Sequence, residues 1–407
     1  MSRDALAGLG FVYFGNDWFA ENRTSSHHVA ARIARAAPLL YVDSPGMRKP
    51  GGSRRDIKRG LRKLFAALRA PVRLDENLWH CTVPQLPFRG IPGMNAFNRW
   101  FGQFAVRRAM RSIGLADCIS WFVLPHPGFL ANRLGERLSV YYCIDDYAAH
   151  PGVDVDYIGR LDEELTRCAD LVFVAPPTLL PSKKALNPRT FPAPHGVDAQ
   201  LFGQASDPAT EVPESIAGIR HPVIGYHGSI HEWIDLALIE WLALQRPGWT
   251  FVLVGHAAVD VSALRRLPNV VMPGPQPYAD LPRWARAYDV AIIPYRMTRQ
   301  VANANPLKLR EYLATGKPVV STRNAEIAKF AQWVRIASDQ QAFLDAIEES
   351  LVGDTELLKQ ERMAAVAPET WERRVAGVLD EVRVALESRQ ARSASHPVLA
   401  PNPGTQR

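Results

Sequence analysis

The sequence predicts an α/β protein built from two doubly wound parallel-sheet domains. Short apolar runs alternate with helical stretches along most of the chain, a stretch rich in Pro, Ser, Ala and Gly divides the series in two, and 407 residues suffice for two cores. A hydrophobic share of 47% with 22% charged residues fits a soluble globular chain. No apolar run approaches the roughly 20 residues of a membrane span. The opening MSRDALAGLGFVYFGND has no signal-peptide core with a small-residue cleavage site, so a cytoplasmic location is expected. Cys81, Cys118, Cys143 and Cys168 are widely spaced in apolar contexts, which reads as reduced core thiols and not a metal site. The net charge of +7 favours an anionic partner.

Taken in order, Gly10 to Phe14 reads as a buried strand, followed by a polar loop, a helix from about His27 to Ala37 and a strand at Leu39 to Val42. Gly8, Gly10 and Gly15 flank the first strand without the G-x-G-x-x-G spacing, so a nicotinamide dinucleotide site is not expected. Ser25 or Ser26 is placed to cap the helix. Between Arg48 and Arg73, Ile57, Leu61, Leu64, Phe65 and Leu68 recur on one helical face, and Arg54, Arg55, Lys58, Arg59, Arg62 and Lys63 cover the rest. Such a helix either lies on an anionic membrane surface or docks its apolar stripe on its own domain. No nucleic-acid module accompanies it, so no nucleic-acid partner is expected.

The alternation continues with Leu78 to Val83, a helix from about Asn95 to Ile113, then Ile119 to Leu124, Ser139 to Ile144, a helix from about Tyr157 to Ala169, and Leu171 to Ala175. Ligands of doubly wound sheets sit at the carboxyl ends of the strands. Two such ends carry candidate chemistry, His126 after Leu124-Pro125, and the adjacent carboxylates Asp145 and Asp146. Asp146 is expected to raise the proton affinity of Asp145 by like-charge repulsion. Asp154-Val155-Asp156 has the D-x-D form of a metal site, yet its polar loop position reads as a cap for the following helix. Residues Lys183 to Gly218 read as a linker. Within it, His195-Gly196-Val197-Asp198 forms a turn in which Gly196 is expected at an unusual φ.

The second series begins at Val223 to Tyr226 and runs into Gly228 and Ser229. Its later strands end at Gly255, Gly274 and Pro294. The most informative stretch is Asn303 to Thr322. There Asn305 is a good N-cap, Pro306 suits the first helical position ahead of Leu307, and Gly316 stops the helix. Lys308 in the first turn opposes the helix dipole unless an anion sits there, and Glu311 follows on the same side. A pyrophosphate on Lys308 and ribose hydroxyls on Glu311 account for both residues; a plain i,i+3 surface ion pair is the alternative. A final helix from Glu369 to Ser388 bears the apolar stripe Trp371, Val375, Val378, Leu379, Val382 and Leu386, and residues 390–407 read as a disordered tail.

The stretch PLKLREYLATGKPVV resembles the donor-binding segment of GT-B glycosyltransferases, near the E-x7-E element of the family-4 type. Only the second glutamate is present, as Glu311, because Asn303 stands eight residues earlier. Lys308 is similar to the pattern of bacterial exopolysaccharide glucuronosyltransferases, as are the Ser25–His28 run and VYYCIDDY, whose aspartate base falls on Asp145. His195, Gly196 and Asp198 resemble the hinge element of the fold, and GYHGSI, with His227, Gly228 and Ser229, resembles its glycine loop. The resemblance implies two Rossmann-like domains facing a cleft, residues 1–205 binding an acceptor and 206–367 a nucleotide sugar, with 368–389 crossing back to the first domain. It further implies base and ribose contacts at Gly255, Tyr278 and Tyr295, and His126 beside the sugar if the reaction retains configuration. A UDP-linked hexose or glucuronic acid would be the donor, and a saccharide or lipid-linked saccharide of a bacterial cell-surface polymer the acceptor. No metal and no cofactor is implied, the nucleotide sugar being a co-substrate. A sugar-nucleotide epimerase of the same fold, and a non-catalytic nucleotide- or glycan-binding protein, are the alternatives.

Overall fold

The computed structural model describes residues 6–20, 23–44, 69–83 and 93–395. The basic segment carrying Arg54, Arg55, Lys58, Arg59, Arg62 and Lys63 lies outside these residues, as does the chain from 396 onward. Among the described residues no helix is long and apolar enough to cross a membrane.

Two sheets organise the chain. The first has eight strands: β1 (Gly10–Gly15), β2 (Leu39–Asp43), β3 (Val72–Asp75), β4 (Leu78–Thr82), β5 (Cys118–Phe122), β6 (Leu138–Cys143), β7 (Leu171–Val174) and β8 (Thr190–Pro192). Their spatial order is β3-β4-β2-β1-β5-β6-β7-β8, parallel throughout except for the antiparallel β3–β4 edge. The second sheet comprises β9 (Val223–His227), β10 (Thr250–Val254), β11 (Val270–Gly274), β12 (Val290–Ile293), β13 (Val319–Thr322) and β14 (Val334–Ala337). Its order, β11-β10-β9-β12-β13-β14, reverses between β9 and β12, where doubly wound sheets open their ligand crevice. Apolar runs such as Phe11–Phe14, Leu39–Val42 and Phe251–Val254 are buried on both faces, as parallel sheets require.

The final helix, Trp371–Ser395, is longer than its predicted span and takes in the first residues of the expected tail. Trp371, Val375, Val378, Leu379, Val382 and Leu386 are all buried against Phe11, Tyr13, Ile33 and Trp121 of the first domain, so the helix returns across the domain boundary. Gly196 shows how the return is seated. A Cβ there would lie 2.7 Å from the backbone of Trp371, and Val197 bridges Thr370, so glycine is needed for close approach and not for an unusual φ. His28 stacks on Trp371 at 4.9 Å and meets Tyr278 of the second domain at 5.0 Å. Burial holds the imidazoles of His28 and His195 neutral, lowering each pKa to about 3.

Part of the expected linker is folded. The helix Leu180–Leu186 and β8 belong to the first domain, and buried Lys183 donates to Asp162 and to Thr166 Oγ1. The cysteines divide: Cys118 and Cys143 are core residues as expected, but Cys168 is exposed.

A buried cation joins the two halves. Arg310 is 2% exposed; its guanidinium donates to Glu326 at 2.6 Å, to Glu369 in the approach to the final helix, and to Asn305 Oδ1 at 2.8 Å. Asn305 in turn donates to the carbonyl of Ala175, just past β7, at 3.0 Å. Removing one partner of a buried pair strands the other charge, so Arg310→Ala should cost about 3–5 kcal/mol in urea unfolding. An unchanged unfolding midpoint would show that this network does not support the fold.

Candidate active site

The carboxyl ends of β6, β9 and β12 face a cavity of about 290 Å³ between the domains. Its second-domain wall includes every residue expected around a donor: His227, Gly228, Ser229, Gly255, Tyr278, Tyr295, Asn305, Pro306, Leu307, Lys308 and Glu311. Arg23, Thr24, Asp145 and His150 line it from the first domain.

Lys308 sits in the first turn of the helix Leu307–Ala314. Its Nζ donates to Tyr226 Oη at 3.1 Å and Tyr295 Oη at 3.4 Å and lies 4.8 and 5.2 Å from the centroids of those rings. It makes no ion pair among the described residues, so the surface Lys308–Glu311 pair is not formed. Burial lowers the pKa of the amine to about 8, against the raising influence of Glu311. A partly desolvated ammonium with phenolic neighbours and no carboxylate partner among the described residues has its charge available to an anion.

Two glycine turns shape the space beside it. Gly228 and Gly255 adopt φ of +128° and +145°, and a Cβ on Gly255 would lie 2.0 Å from the Gly228 carbonyl oxygen. A Cβ on Gly228 would lie 3.0 Å from Lys308 Cε, so only glycine brings this turn against the amine.

Glu311 accepts from Tyr278 Oη at 3.1 Å and pairs through its other oxygen with His227 Nε2 at 3.2 Å. Its oxygens are thereby fixed toward the cavity and keep lone pairs for further donors. The helix begins differently from expectation. Pro306 is the N-cap residue, and Asn305 caps nothing, its amide being committed to Ala175 and Arg310.

Across the cavity, Asp145 Oδ2 lies 2.8 Å from His150 Nε2, and Oδ1 accepts the Asp146 N–H at 2.8 Å. Gln300 approaches the same imidazole at 3.5 Å. Asp146 has a different task from the one expected. Its carboxylate accepts from Arg299 Nε at 3.1 Å and Asn303 Nδ2 at 2.9 Å, an interdomain contact that offsets its charge instead of repelling Asp145. Asn303 thus occupies the first position of the E-x7-E pattern with an interdomain hydrogen bond.

His126 is 1% exposed, set edge-on to Tyr157, and does not line the cavity. His195 and Gly196 lie at the seat of the returning helix, and Asp198 caps the short helix after it through Leu201 N–H at 3.1 Å. Asp154 caps the helix Val155–Cys168, accepting from Tyr157 N–H at 3.2 Å. The helix at Ser25 is capped by Thr24 and not by a serine, and His27 Nδ1 accepts the Thr24 N–H at 3.1 Å. Sequence reasoning missed His150, Tyr226 and Arg23. The D-x4-H spacing from Asp145 to His150, ahead of Pro151-Gly152, was the one local signal for any of them.

Two facing Rossmann-like domains, a cleft at their strand ends and a returning C-terminal helix define the GT-B fold of glycosyltransferases. Residues 221–352 match the family described as glycosyl transferases group 1. A Bacillus subtilis (strain 168) protein, whose name proposes a teichuronic acid biosynthesis glycosyltransferase, TuaH, is 29% identical over 229 residues; the match covers 52% of this chain and 57% of that relative's length. Among solved structures, sucrose-phosphate synthase from Thermosynechococcus elongatus superposes with a TM-score of 0.66 at 14% identity, covering 95% of this chain and 100% of that one. HepE from Anabaena, in complex with UDP and glucose, gives a TM-score of 0.62 at 14% identity, covering 91% and 99%.

Only the ammonium form of Lys308 carries a charge to offer an anion, and that charge is lost as pH rises through about 8. Pyrophosphate binding should therefore weaken at and above that pH, the bound anion itself shifting the loss upward. Lys308→Ala should abolish the dependence and cost about 1.5–3 kcal/mol of binding. Titration calorimetry on either side of pH 8 checks both; pH-independent binding, equal in the variant, would remove Lys308 from the anion site.

Proposed function

We propose that the protein transfers a sugar from a nucleotide-sugar donor, UDP-linked, to a saccharide or lipid-linked saccharide acceptor in the assembly of a bacterial cell-surface polysaccharide. The observation that carries this reading is the ammonium of Lys308, held without a carboxylate partner beside the Gly228 turn and facing the Asp145–His150 pair across one cavity. The group 1 match over the second domain, the likeness to a relative named for teichuronic acid synthesis, and the UDP complex of HepE support it.

In this reading Lys308 and the Gly228–Ser229 backbone take the diphosphate, and Glu311 takes the ribose hydroxyls. Gly255 and Tyr278 lie at the rim where the base would rest. The leaving diphosphate gains negative charge in the transition state, and a preorganised cation in a site poor in water stabilises that charge. We assign this role to Lys308, so metal-independent transfer follows from the residue and not from an ion.

The acceptor hydroxyl loses a proton as its oxygen bonds to the sugar. Asp145, oriented by His150, is the base at hydrogen-bond reach of the cavity. Inversion of the anomeric carbon follows, because a base on the acceptor side serves direct displacement. His126 lies outside the cavity and gives the retaining alternative no support.

Asp145→Asn should cut turnover roughly 100-fold or more with donor affinity nearly unchanged. Transfer from UDP-sugars to saccharide acceptors, with the product anomer read by NMR, tests the whole reading. An α-product from an α-linked donor, made as fast by Asp145→Asn, would overturn the assignment of the base; an absolute Mg2+ requirement would overturn the metal-independent role of Lys308.

A further inference from the structure

The helix Met94–Ser112 carries a surface that neither core nor cleft explains. Phe97 is 39% exposed, Trp100 61% and Phe104 42%, at i, i+3 and i+7 on one face. Their rings form a ladder with Phe101: Phe97 stacks on Phe101 at 5.8 Å, and Trp100 on Phe104 at 6.0 Å. The opposite side of the helix buries Asn98, Gly102, Ala105, Val106, Ala109 and Met110. Contiguous exposed aromatic rings of this kind mark a contact surface.

The charge on the helix selects what covers it. Arg99, Arg107, Arg108 and Arg111 are exposed, and MNAFNRWFGQFAVRRAMRS contains no Asp or Glu. A second copy of the helix would oppose arginine to arginine. Residues 54–69 of the same chain carry seven Lys and Arg against one Asp and would likewise set cation against cation. An anionic phospholipid surface meets both features, since tryptophan and phenylalanine rings settle at the headgroup–acyl boundary while guanidinium groups pair with lipid phosphates.

We infer that the outer face of Met94–Ser112 is a docking surface for an anionic phospholipid bilayer. Phe97, Trp100 and Phe104 enter the interface, and Arg108 and Arg111, on the same face, engage phosphates. This contact is independent of what the cleft binds.

Flotation of the full chain with vesicles of equal parts phosphatidylglycerol and phosphatidylcholine, against phosphatidylcholine alone, tests it. The wild type should float only with the anionic vesicles. The double variant Trp100→Ser/Phe104→Ser should bind about tenfold less or weaker, two interfacial rings having been withdrawn from lipid. An unchanged circular dichroism spectrum establishes that the variant is folded; should it not fold, Arg108→Gln/Arg111→Gln, which alters exposed side chains only, gives the same reading. Three results would overturn the inference. These are a wild type that stays behind with anionic vesicles, flotation undiminished in the variants, which would move the contact to a segment such as 54–69, and a wild-type dimer in sedimentation equilibrium that the double variant dissolves.

Discussion

Everything that faces the cleft depends on the burial of one guanidinium. Arg310 occupies the inner side of the helix whose outer side presents Lys308 and Glu311, and its partners come from three directions: Glu326 from its own domain, Glu369 before the returning helix, and Asn305 at the start of its own helix. Taking that charge out of water is costly, and the cost is offset only while every partner is in place. The network therefore fixes the rotation of the helix and the position of the crossing at once. A shift that freed Lys308 from the cavity would also break Arg310 from its carboxylates.

The two walls of the cleft are tuned in opposite senses. Lys308 is a cation among phenols, with no ionic partner among the described residues, and Asp145 is a carboxylate that meets the His150 imidazole and the Asp146 N–H. Both groups face the cavity. The charges that hold the domains together are instead paired, as in Arg299–Asp146 and Arg32–Glu372. This division explains why two adjacent aspartates differ. Asp145 turns into the cavity, while Asp146 crosses to the opposite domain.

The inner parallel strands were legible from their apolar runs, and the donor wall because a lysine in the first turn of a helix opposes the dipole unless an anion compensates it. The edge strands β3 and β8 were not legible: VRLD is largely exposed, and TFP lies among Pro and Asn that read as a linker. Asn305 looked like a cap since local propensity cannot register a carbonyl 130 residues away. Gly196 invited a φ argument where the constraint was the backbone of Trp371. Tyr226 acquires its role beneath Lys308 through tertiary geometry alone, whereas His150 lies five residues from Asp145, its partner.

The central claim is that Lys308 and the Gly228 turn form a diphosphate site within a nucleotide-binding cleft. Titration calorimetry of a nucleoside, its monophosphate and its diphosphate against the wild-type protein, in the uridine, guanosine and thymidine series, measures this most directly. For the base that binds, the second phosphate should bring the largest step in affinity, tenfold or more, corresponding to about 1.4 kcal/mol. Equal affinities for all three forms in every series, or no binding of any diphosphate, would contradict the account.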